Sequence, residues 1–208
     1  NIFPASASRA DYLLTGPSGE TIGTSSYWIQ GSLLYFAEDR EPMNVYEVRS
    51  VRADDLTEEQ VERREQAMQE FRAQVLALLE QEDVIFQAHA DQLAEISGGG
   101  EPIDELLDPD RRKALKREFR SRDKALEDLK SAWNELRLPE YSLLLMRDIK
   151  MLQIVSLEAS AEQALNYVKS GDPTNREYAR EHLRQAESFQ ESFLDALPWE
   201  RSVIRSSS

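Results

Sequence analysis

The sequence predicts a mainly helical α+β fold, in which a small N-terminal antiparallel β-sheet precedes a bundle of three or four long helices. Three observations lead to this prediction. Before residue 54, turns rich in glycine and proline separate short runs of aromatic and β-branched residues. After residue 54, apolar residues recur at spacings of three and four. Recognisable helix start signals precede these apolar stripes.

Three or four short strands are expected in the N-terminal region. Their predicted positions are residues 12–15, 26–29, 33–37 and 44–51. Short strands within about forty residues form only a marginal sheet by themselves. We therefore expect helices to cover one face of this sheet.

The first helix is predicted over residues 57–97. Thr57 and Gln60 have the residue types and spacing of a capping box, and Leu56 and Val61 occupy the positions of a hydrophobic staple. Three glycines from residue 98 end the helix. At about 1.5 Å per residue the helix is about 60 Å long. Because this length exceeds a compact domain, the helix either kinks or belongs to an elongated bundle.

Three further helices are predicted over residues 109–137, 140–170 and 173–197. An Asp-Pro pair opens the second helix and another opens the fourth. The Leu138-Pro139 junction is either a sharp corner or a proline kink in one long helix. The third helix is apolar around most of its circumference between residues 143 and 157, so it is the expected central and most buried helix.

The second helix carries an apolar seam with heptad-like spacing, which is typical of coiled-coil packing. Arg122 occupies a core-side position of this seam. The apolar members of the seam are Leu115, Phe119, Leu126, Leu129, Trp133 and Leu136.

These elements divide the chain into four parts. We expect a flexible segment over residues 1–10, a β module over 11–54, a helical bundle over 55–198 and a tail over 199–208.

Composition excludes several classes of chemistry. The chain has no cysteine, so it forms no disulfide, thiolate nucleophile or zinc-thiolate site. A net charge of -14 repels nucleic acids and anionic lipid surfaces, and neither is an expected partner. No apolar run reaches the roughly 18 to 20 residues that span a bilayer, so no direct membrane insertion of this segment is expected.

The beginning of the sequence predicts export. The chain starts with Asn1, and residues 4–8 combine a proline with the small residues typical of a signal-peptide cleavage region. The alternative is an arbitrary boundary within a flexible terminus. The first interpretation places the protein in the periplasm or cell envelope.

Histidine chemistry can draw on His89 and His182 alone. Each lies on the apolar stripe of its predicted helix, so we expect both to be polar residues at the edge of the core with a local hydrogen bond rather than catalysts. Burial is likewise expected of Arg122. Neither follows a glutamate at the spacing of a di-metal bundle site. The acidic clusters, such as Glu80 with Glu82 and Asp83, have the pattern of solvated helix faces. The sequence therefore predicts no catalytic residue, cofactor or metal, and no enzyme.

Charge is distributed unevenly along the helices. Residues 55–96 contain three basic and eleven acidic residues, whereas residues 111–124 contain eight basic and two acidic residues. These segments either neutralise each other within the bundle or leave an exposed basic stripe for an acidic partner. The stripe would consist of Arg111, Arg112, Lys116, Arg120 and Arg122.

The helical core stripes leave four aromatic residues least explained: Trp28, Tyr35, Tyr46 and Trp199. Trp28 and Tyr35 either cover the sheet or serve as interface anchors, and Trp199 follows the last helix.

The N-terminal motifs resemble a small β module of uncharacterised bacterial cell-envelope proteins. In that module a strand ending in glycine, a hairpin containing Trp and Gly, and a closing Val-x-x-Val segment recur. The resemblance covers residues 11–52, about a fifth of the chain, and departs from the pattern where Pro42 and Met43 replace a glycine turn. It implies an exported protein and supplies no functional residues. The matching motifs are Tyr12-Leu-Leu-x-Gly16, Glu20-Thr-Ile-Gly23, Trp28, Gly31-Ser-Leu-Leu-Tyr-Phe36 and Val45-Tyr-Glu-Val48-Arg-Ser-Val51.

Together these patterns predict a non-enzymatic exported bacterial protein that acts as a structural or protein-interaction module through its helical surface. Its expected partner is another protein or a second copy of itself. The alternative is a periplasmic sensor or ligand-binding domain with a pocket inside the helical bundle, around Arg122 or His182.

Overall fold

The computed structural model describes residues 12–53, 56–98 and 102–199. It is mainly helical, at 69%, with two small antiparallel three-stranded sheets followed by four long packed helices. The predicted fold class is confirmed. The segment expected over residues 1–10 lies outside the described residues, as does the expected tail after Trp199.

The N-terminal strands form two sheets rather than the one that we predicted. In the first sheet the strand order is β2-β1-β6, and in the second it is β3-β4-β5. Every neighbouring pair is antiparallel. The strands are β1 (Tyr12–Thr15), β2 (Thr21–Thr24), β3 (Tyr27–Gln30), β4 (Leu33–Phe36), β5 (Met43–Asn44) and β6 (Ser50–Ala53).

Two local features explain this difference. β2 was not predicted, and it follows a tight turn in which Gly19 has a φ of 87° that favours glycine. The strand predicted over residues 44–51 is interrupted by a 3₁₀ turn, Val45–Glu47. The Asn44 side chain starts this turn by accepting a hydrogen bond from the Tyr46 amide at 3.1 Å.

A short segment after α3 adds a further pairing to the second sheet. The backbones of Ile29 and Leu138 exchange two hydrogen bonds, of 3.0 and 2.8 Å. Both side chains are fully buried, as is Leu34, which lies opposite Ile29 on β4. The Leu138-Pro139 junction is therefore an extended connection, and the helices on either side of it are separate.

Side-chain caps mark three of the helix starts as predicted. The Thr57 amide donates to Gln60 Oε1 at 2.6 Å, and the Gln60 amide donates to Thr57 Oγ1 at 3.4 Å, which completes the capping box. Asp108 and Asp172 accept from amides in the first turns of their helices. The helices are α1 (Glu58–Glu95), α2 (Ile103–Leu106), α3 (Pro109–Glu135), α4 (Leu144–Ser170) and α5 (Pro173–Ala196), and the short α2 was not predicted.

The chain groups into two compact units. Unit 1 consists of Asn1–Gln74 and Glu135–Leu144, and unit 2 of Val75–Asn134 and Leu145–Ser208. The division falls within α1, twenty residues beyond the boundary expected after residue 54. The first turns of α1 thus belong to the same unit as the sheets. Because α1 contributes to both units, it can be longer than one compact domain.

Unit 2 contains the apolar seam that the spacing on α3 predicted. Its members on α3 are buried, and Arg122 is buried with them at 8% exposure. At one end of the unit a core cluster joins α1, α2, α3, α4 and α5. The cluster consists of Leu93, Ile96, Ile103, Leu107, Leu115, Phe119, Ala164, Tyr167, Val168 and Ala179.

Candidate functional site

Helix α4 exposes two leucines and a valine, while it buries several long polar side chains among its apolar ones. Leu145, Leu152 and Val155 are 66%, 51% and 48% exposed. Their spacings of seven and three residues place them on one face of the helix, which we call the α4 row. The prediction that this is the most buried helix is confirmed among the described helices, but the α4 row faces solvent.

A groove of about 680 Å³ between α3 and α4 lies beside the α4 row, and Val155 belongs to both. Its apolar floor includes Phe119, Ala159 and Leu165. Four carboxylates and two lysines line its walls, and one lysine, Lys130, is paired with Glu158 at 2.5 Å. The groove therefore carries an excess of negative charge. Its carboxylates are Asp123, Glu127, Glu158 and Glu162.

Opposite the α4 row, a buried polar network connects α4 to α1. Lys150 Nζ donates to Glu82 Oε1 at 2.8 Å and to Gln153 Oε1 at 2.6 Å. Gln153 Nε2 donates to the same Glu82 oxygen at 2.7 Å. The ammonium also lies 3.9 Å from the centroid of the Phe193 ring and 5.6 Å from that of Trp133. The cation thus has both carboxylate and aromatic partners.

Burial is the largest cause of the pKa shifts in this network. It lowers the pKa of Lys150 and raises the pKa of Glu82, while the attraction between the two groups opposes both shifts. Glu82 was expected on a solvated acidic face, and this expectation is wrong, because its side chain is 1% exposed. The three-residue spacing of Arg147, Lys150 and Gln153 within an apolar stretch is the signal that could have revealed a buried polar stripe.

A second buried network links four helices of unit 2. His89 of α1 lies between Arg122 of α3 and Ser160 of α4, with Nδ1 3.2 Å from Arg122 Nη1 and Nε2 2.7 Å from Ser160 Oγ. The Ser160 hydroxyl donates to the carbonyl oxygen of Ala179 on α5 at 2.7 Å. His89 and Arg122 are thus buried residues that hydrogen-bond each other.

The partners fix where the protons lie. Because the Ser160 hydrogen is given to Ala179, its oxygen must accept the proton on His89 Nε2, and His89 Nδ1 then accepts from Arg122. Burial, with the Arg122 charge as a smaller cause, lowers the pKa of His89 to about 3 and keeps the ring neutral. In this arrangement His89 cannot accept the Ser160 proton, so the pair is not poised for nucleophilic catalysis.

His182 differs from His89. It is only half-buried, and its Nδ1 lies 3.3 Å from Gln185 Oε1 on the same helix. His182 thus lies at the edge of the core with a local hydrogen bond, as expected, but it is not fully buried. Its stripe position lies at the edge of the apolar face of α5, where the ring remains in contact with solvent.

Arg111 and Arg112, the first two residues of the predicted basic stripe, bind within unit 2. Arg111 contacts Glu95 on α1 at 2.6 Å and Glu118 on α3 at 2.8 Å. Arg112 pairs with Asp104 and donates to the carbonyl oxygen of Val168 at 2.6 Å, near the C-terminal end of α4. These contacts correspond to one of the two interpretations of the charge pattern, in which the basic and acidic helix segments neutralise each other within the bundle.

The other members of the basic stripe divide between surface and core. Arg120 is exposed, Lys116 is half-buried and Arg122 is buried. The five side chains therefore do not form one continuous exposed basic surface.

The aromatic candidates of unit 1 pack together. The rings of Trp28 and Tyr35 are stacked, with centroids 5.4 Å apart and planes at 9°. Both residues are half-buried on the second sheet. Cζ of Arg137 lies 4.1 Å from the centroid of the Trp28 ring. In unit 2, Trp199 is half-buried.

Within residues 12–53, 56–98 and 102–199, no group of three or more His, Asp or Glu side chains is arranged to hold a metal ion. No helix in the same ranges is long and apolar enough to cross a membrane. The chain matches no protein-family model, no curated protein and no solved structure.

Proposed function

We propose that this protein is a non-enzymatic interaction module whose α4 row and adjacent groove bind a basic amphipathic helix of a partner protein. The observation that carries the proposal is the outward orientation of Leu145, Leu152 and Val155 on a helix that buries Arg147 and Lys150. A row of apolar side chains at heptad-like spacing is the surface against which a partner helix packs.

The sign of the partner's charge follows from the groove. Its carboxylates outnumber its lysines by four to two, and the whole chain carries a net charge of -14. Complementary charge directs association and disfavours partners of like charge. The acidic partner that the basic stripe suggested has less support, because Arg111 and Arg112 already bind groups of unit 2.

We place this activity outside the cytoplasm, in the periplasm or cell envelope. The small residues around position 5 and the resemblance of the N-terminal module to bacterial envelope proteins support this placement. The alternative of a sensor pocket around Arg122 has less support, since the Arg122 guanidinium already donates to His89.

Binding of model peptides tests the proposal. Fluorescence anisotropy would measure the binding of two labelled amphipathic helical peptides, both with leucines at heptad spacing. One peptide carries lysines at the flanking positions, and the other carries glutamates there. We expect the lysine peptide to bind and the glutamate peptide to bind at least tenfold more weakly. Leu152→Gln should weaken binding of the lysine peptide about tenfold, because apolar contact area is lost.

Val84→Gln is the matched control, because Val84 is an exposed apolar residue of unit 2, 71% exposed, on α1. It should leave peptide binding unchanged. Equal binding of both peptides, or equal effects of the two substitutions, would contradict the proposal. A second copy of the chain is the other possible occupant of the α4 row, and light scattering on the free protein tests for it. A dimer that Leu152→Gln dissociates would assign the α4 row to self-association and overturn the proposal of a basic partner.

A further inference from the structure

Unit 1 contains a pocket of about 290 Å³ that takes no part in the proposed protein interaction. β3 with the loop before it forms one side, the first turns of α1 form a second, and the segment after α3 contributes Arg137 and Pro139. Four aromatic side chains line it: Tyr12, Tyr27, Trp28 and Phe71. Its volume lies at the small end of the range for small-molecule sites.

The backbone places Arg137 at this pocket. Ile29 and Leu138 are paired through their backbones, and both side chains are fully buried on one face. Because side chains alternate along an extended chain, Trp28 and Arg137 project to the other face as a diagonal pair. The 4.1 Å separation of the Arg137 guanidinium from the Trp28 ring results from this register.

Of the arginines that line the pocket, Arg137 is the one left to bind a ligand. Arg63 is paired with Glu59, and Arg64 Nε donates to Glu140 at 2.6 Å. Arg137 forms no ion pair with any described residue, and its side chain is exposed on the pocket side of the sheet. The pocket therefore offers one guanidinium that forms no ion pair with a described residue, which suits a ligand with a single negative charge better than a dianion.

The aromatic walls are held in place by contacts of their own. The rings of Tyr12 and Tyr27 meet edge to face, with centroids 5.1 Å apart. The Tyr27 hydroxyl accepts a hydrogen bond from the Tyr141 amide at 3.0 Å. Trp28 is stacked on Tyr35. These contacts hold the aromatic side chains of the pocket lining in place, and Trp28 lies beside the guanidinium of Arg137.

We propose that this pocket binds a small monocarboxylate that bears an aromatic ring. Arg137 pairs with the carboxylate through parallel hydrogen bonds, a geometry that the planar guanidinium favours. The ring lies among Tyr12, Tyr27 and Trp28. The same chemistry is offered by a free aromatic acid and by a peptide that ends in phenylalanine, and the experiment distinguishes these two sources.

NMR of the tryptophan indole N–H groups tests the site directly. The chain has three tryptophans; Trp28 lines the pocket, whereas Trp133 is fully buried in unit 2 and serves as an internal reference. Trp28→Phe assigns the signal. Titration with phenylacetate should shift the Trp28 signal with millimolar affinity and leave the Trp133 signal unchanged. Phenylacetamide, which has the same shape without the charge, should bind at least tenfold more weakly.

Substitutions identify the carboxylate partner. Arg137→Gln should weaken phenylacetate binding at least tenfold, whereas Arg52→Gln, at an exposed position on β6 away from the pocket, should not change it. If Arg137→Gln disturbs the sheet, Arg137→Lys preserves the charge and should weaken binding by a smaller factor, because a lysine cannot form the paired hydrogen bonds.

The outcomes are distinct. Tighter binding of the peptide Gly-Gly-Phe than of phenylacetate would support the proposal with a chain terminus as the ligand, and the reverse would support it with a free acid. Equal affinities for phenylacetate and phenylacetamide would overturn it. The proposal would also be overturned if the Arg137→Gln variant bound phenylacetate as tightly as the unchanged chain, or if no probe shifted the Trp28 signal. None of these results depends on the α4 row, so the two proposals fail separately.

Discussion

Helix α4 takes part in two buried polar networks of unit 2, and they are satisfied in different ways. Both connect α4 to α1, through Lys150 and Glu82 in one network and through Ser160 and His89 in the other. Around His89, each donated proton meets an acceptor, and the network ends on a backbone carbonyl. Around Lys150, two donors share one oxygen of Glu82, and the other oxygen is buried without a hydrogen-bond partner among the described residues.

This difference determines what each network contributes. A neutral imidazole with both nitrogens bonded orients four helices at little electrostatic cost. An ion pair with almost no exposure is costly to bury, and the loss of one member leaves the other charge uncompensated. We therefore expect the Lys150 network to be the more sensitive to single substitutions and the His89 network to be the more sensitive to pH.

The largest effect is expected for Lys150→Met. It should lower the free energy of unfolding by about 3–5 kcal/mol, because the Glu82 carboxylate is left buried without its cation. The double variant Lys150→Met with Glu82→Leu should be more stable than Lys150→Met alone. Urea unfolding of these two variants, of Glu82→Leu alone and of the unchanged chain measures the coupling between the residues. Additive losses in the double variant would show that the pair does not act as a unit.

A smaller loss is expected for Ser160→Ala, about 1–3 kcal/mol by urea unfolding. This substitution removes the acceptor of the His89 Nε2 proton and leaves a buried donor unpaired. Ser156→Ala is the matched control on the same helix. The Ser156 hydroxyl donates to the Leu152 carbonyl one turn earlier on the same helix, so its removal should cost less than about 0.5 kcal/mol. Similar losses for both serines would mean that the interhelical bond contributes nothing.

The smallest effect is a dependence on pH. The pKa of His89 is about 3 in the folded chain and 6.5 for an unperturbed histidine. The unfolded chain therefore binds more protons between these values, and stability is complete above pH 6.5 and falls as the pH is lowered. His89 should contribute a loss of about 1.5 kcal/mol between pH 6.5 and about pH 5.

Matched substitutions isolate this contribution from the acid titration of carboxylates. In urea unfolding at several pH values, His89→Gln should flatten the dependence. His182→Gln should leave it as in the unchanged chain, because His182 is half-buried and its ring contacts Gln185 on its own helix. An identical pH dependence in the His89→Gln variant would rule out a neutral buried imidazole.

Local signals predicted much of the fold. The Thr57 capping box and the Asp108 and Asp172 helix starts depend on residues within three positions of one another, so they can be read from the chain directly. The heptad spacing on α3 likewise placed Arg122 in the seam. β2 was missed because its four residues, Thr-Ile-Gly-Thr, carry little periodicity, and its position is decided by pairing with β1.

The candidate sites were harder to predict. Trp28 was selected as an aromatic residue outside the helical cores, but its neighbour Arg137 comes from a segment more than a hundred residues later. Glu82 was assigned to solvent because its neighbours are acidic, and its burial depends on Lys150 of another helix. Composition and periodicity give no information on such contacts between residues that are far apart in the chain.

The sequence by itself determined the helical class, the order of the four long helices and three of their starts, since these follow from propensities and contacts within a few residues. The tertiary structure decided which face of α4 is buried. A helix that carries both leucines and long polar side chains can pack against the core with either of these faces. Glu82 and Gln153 satisfy Lys150 from within the bundle, so the polar face lies inside and the α4 row outside. Long-range hydrogen bonding thus placed the surface through which we propose that this protein acts.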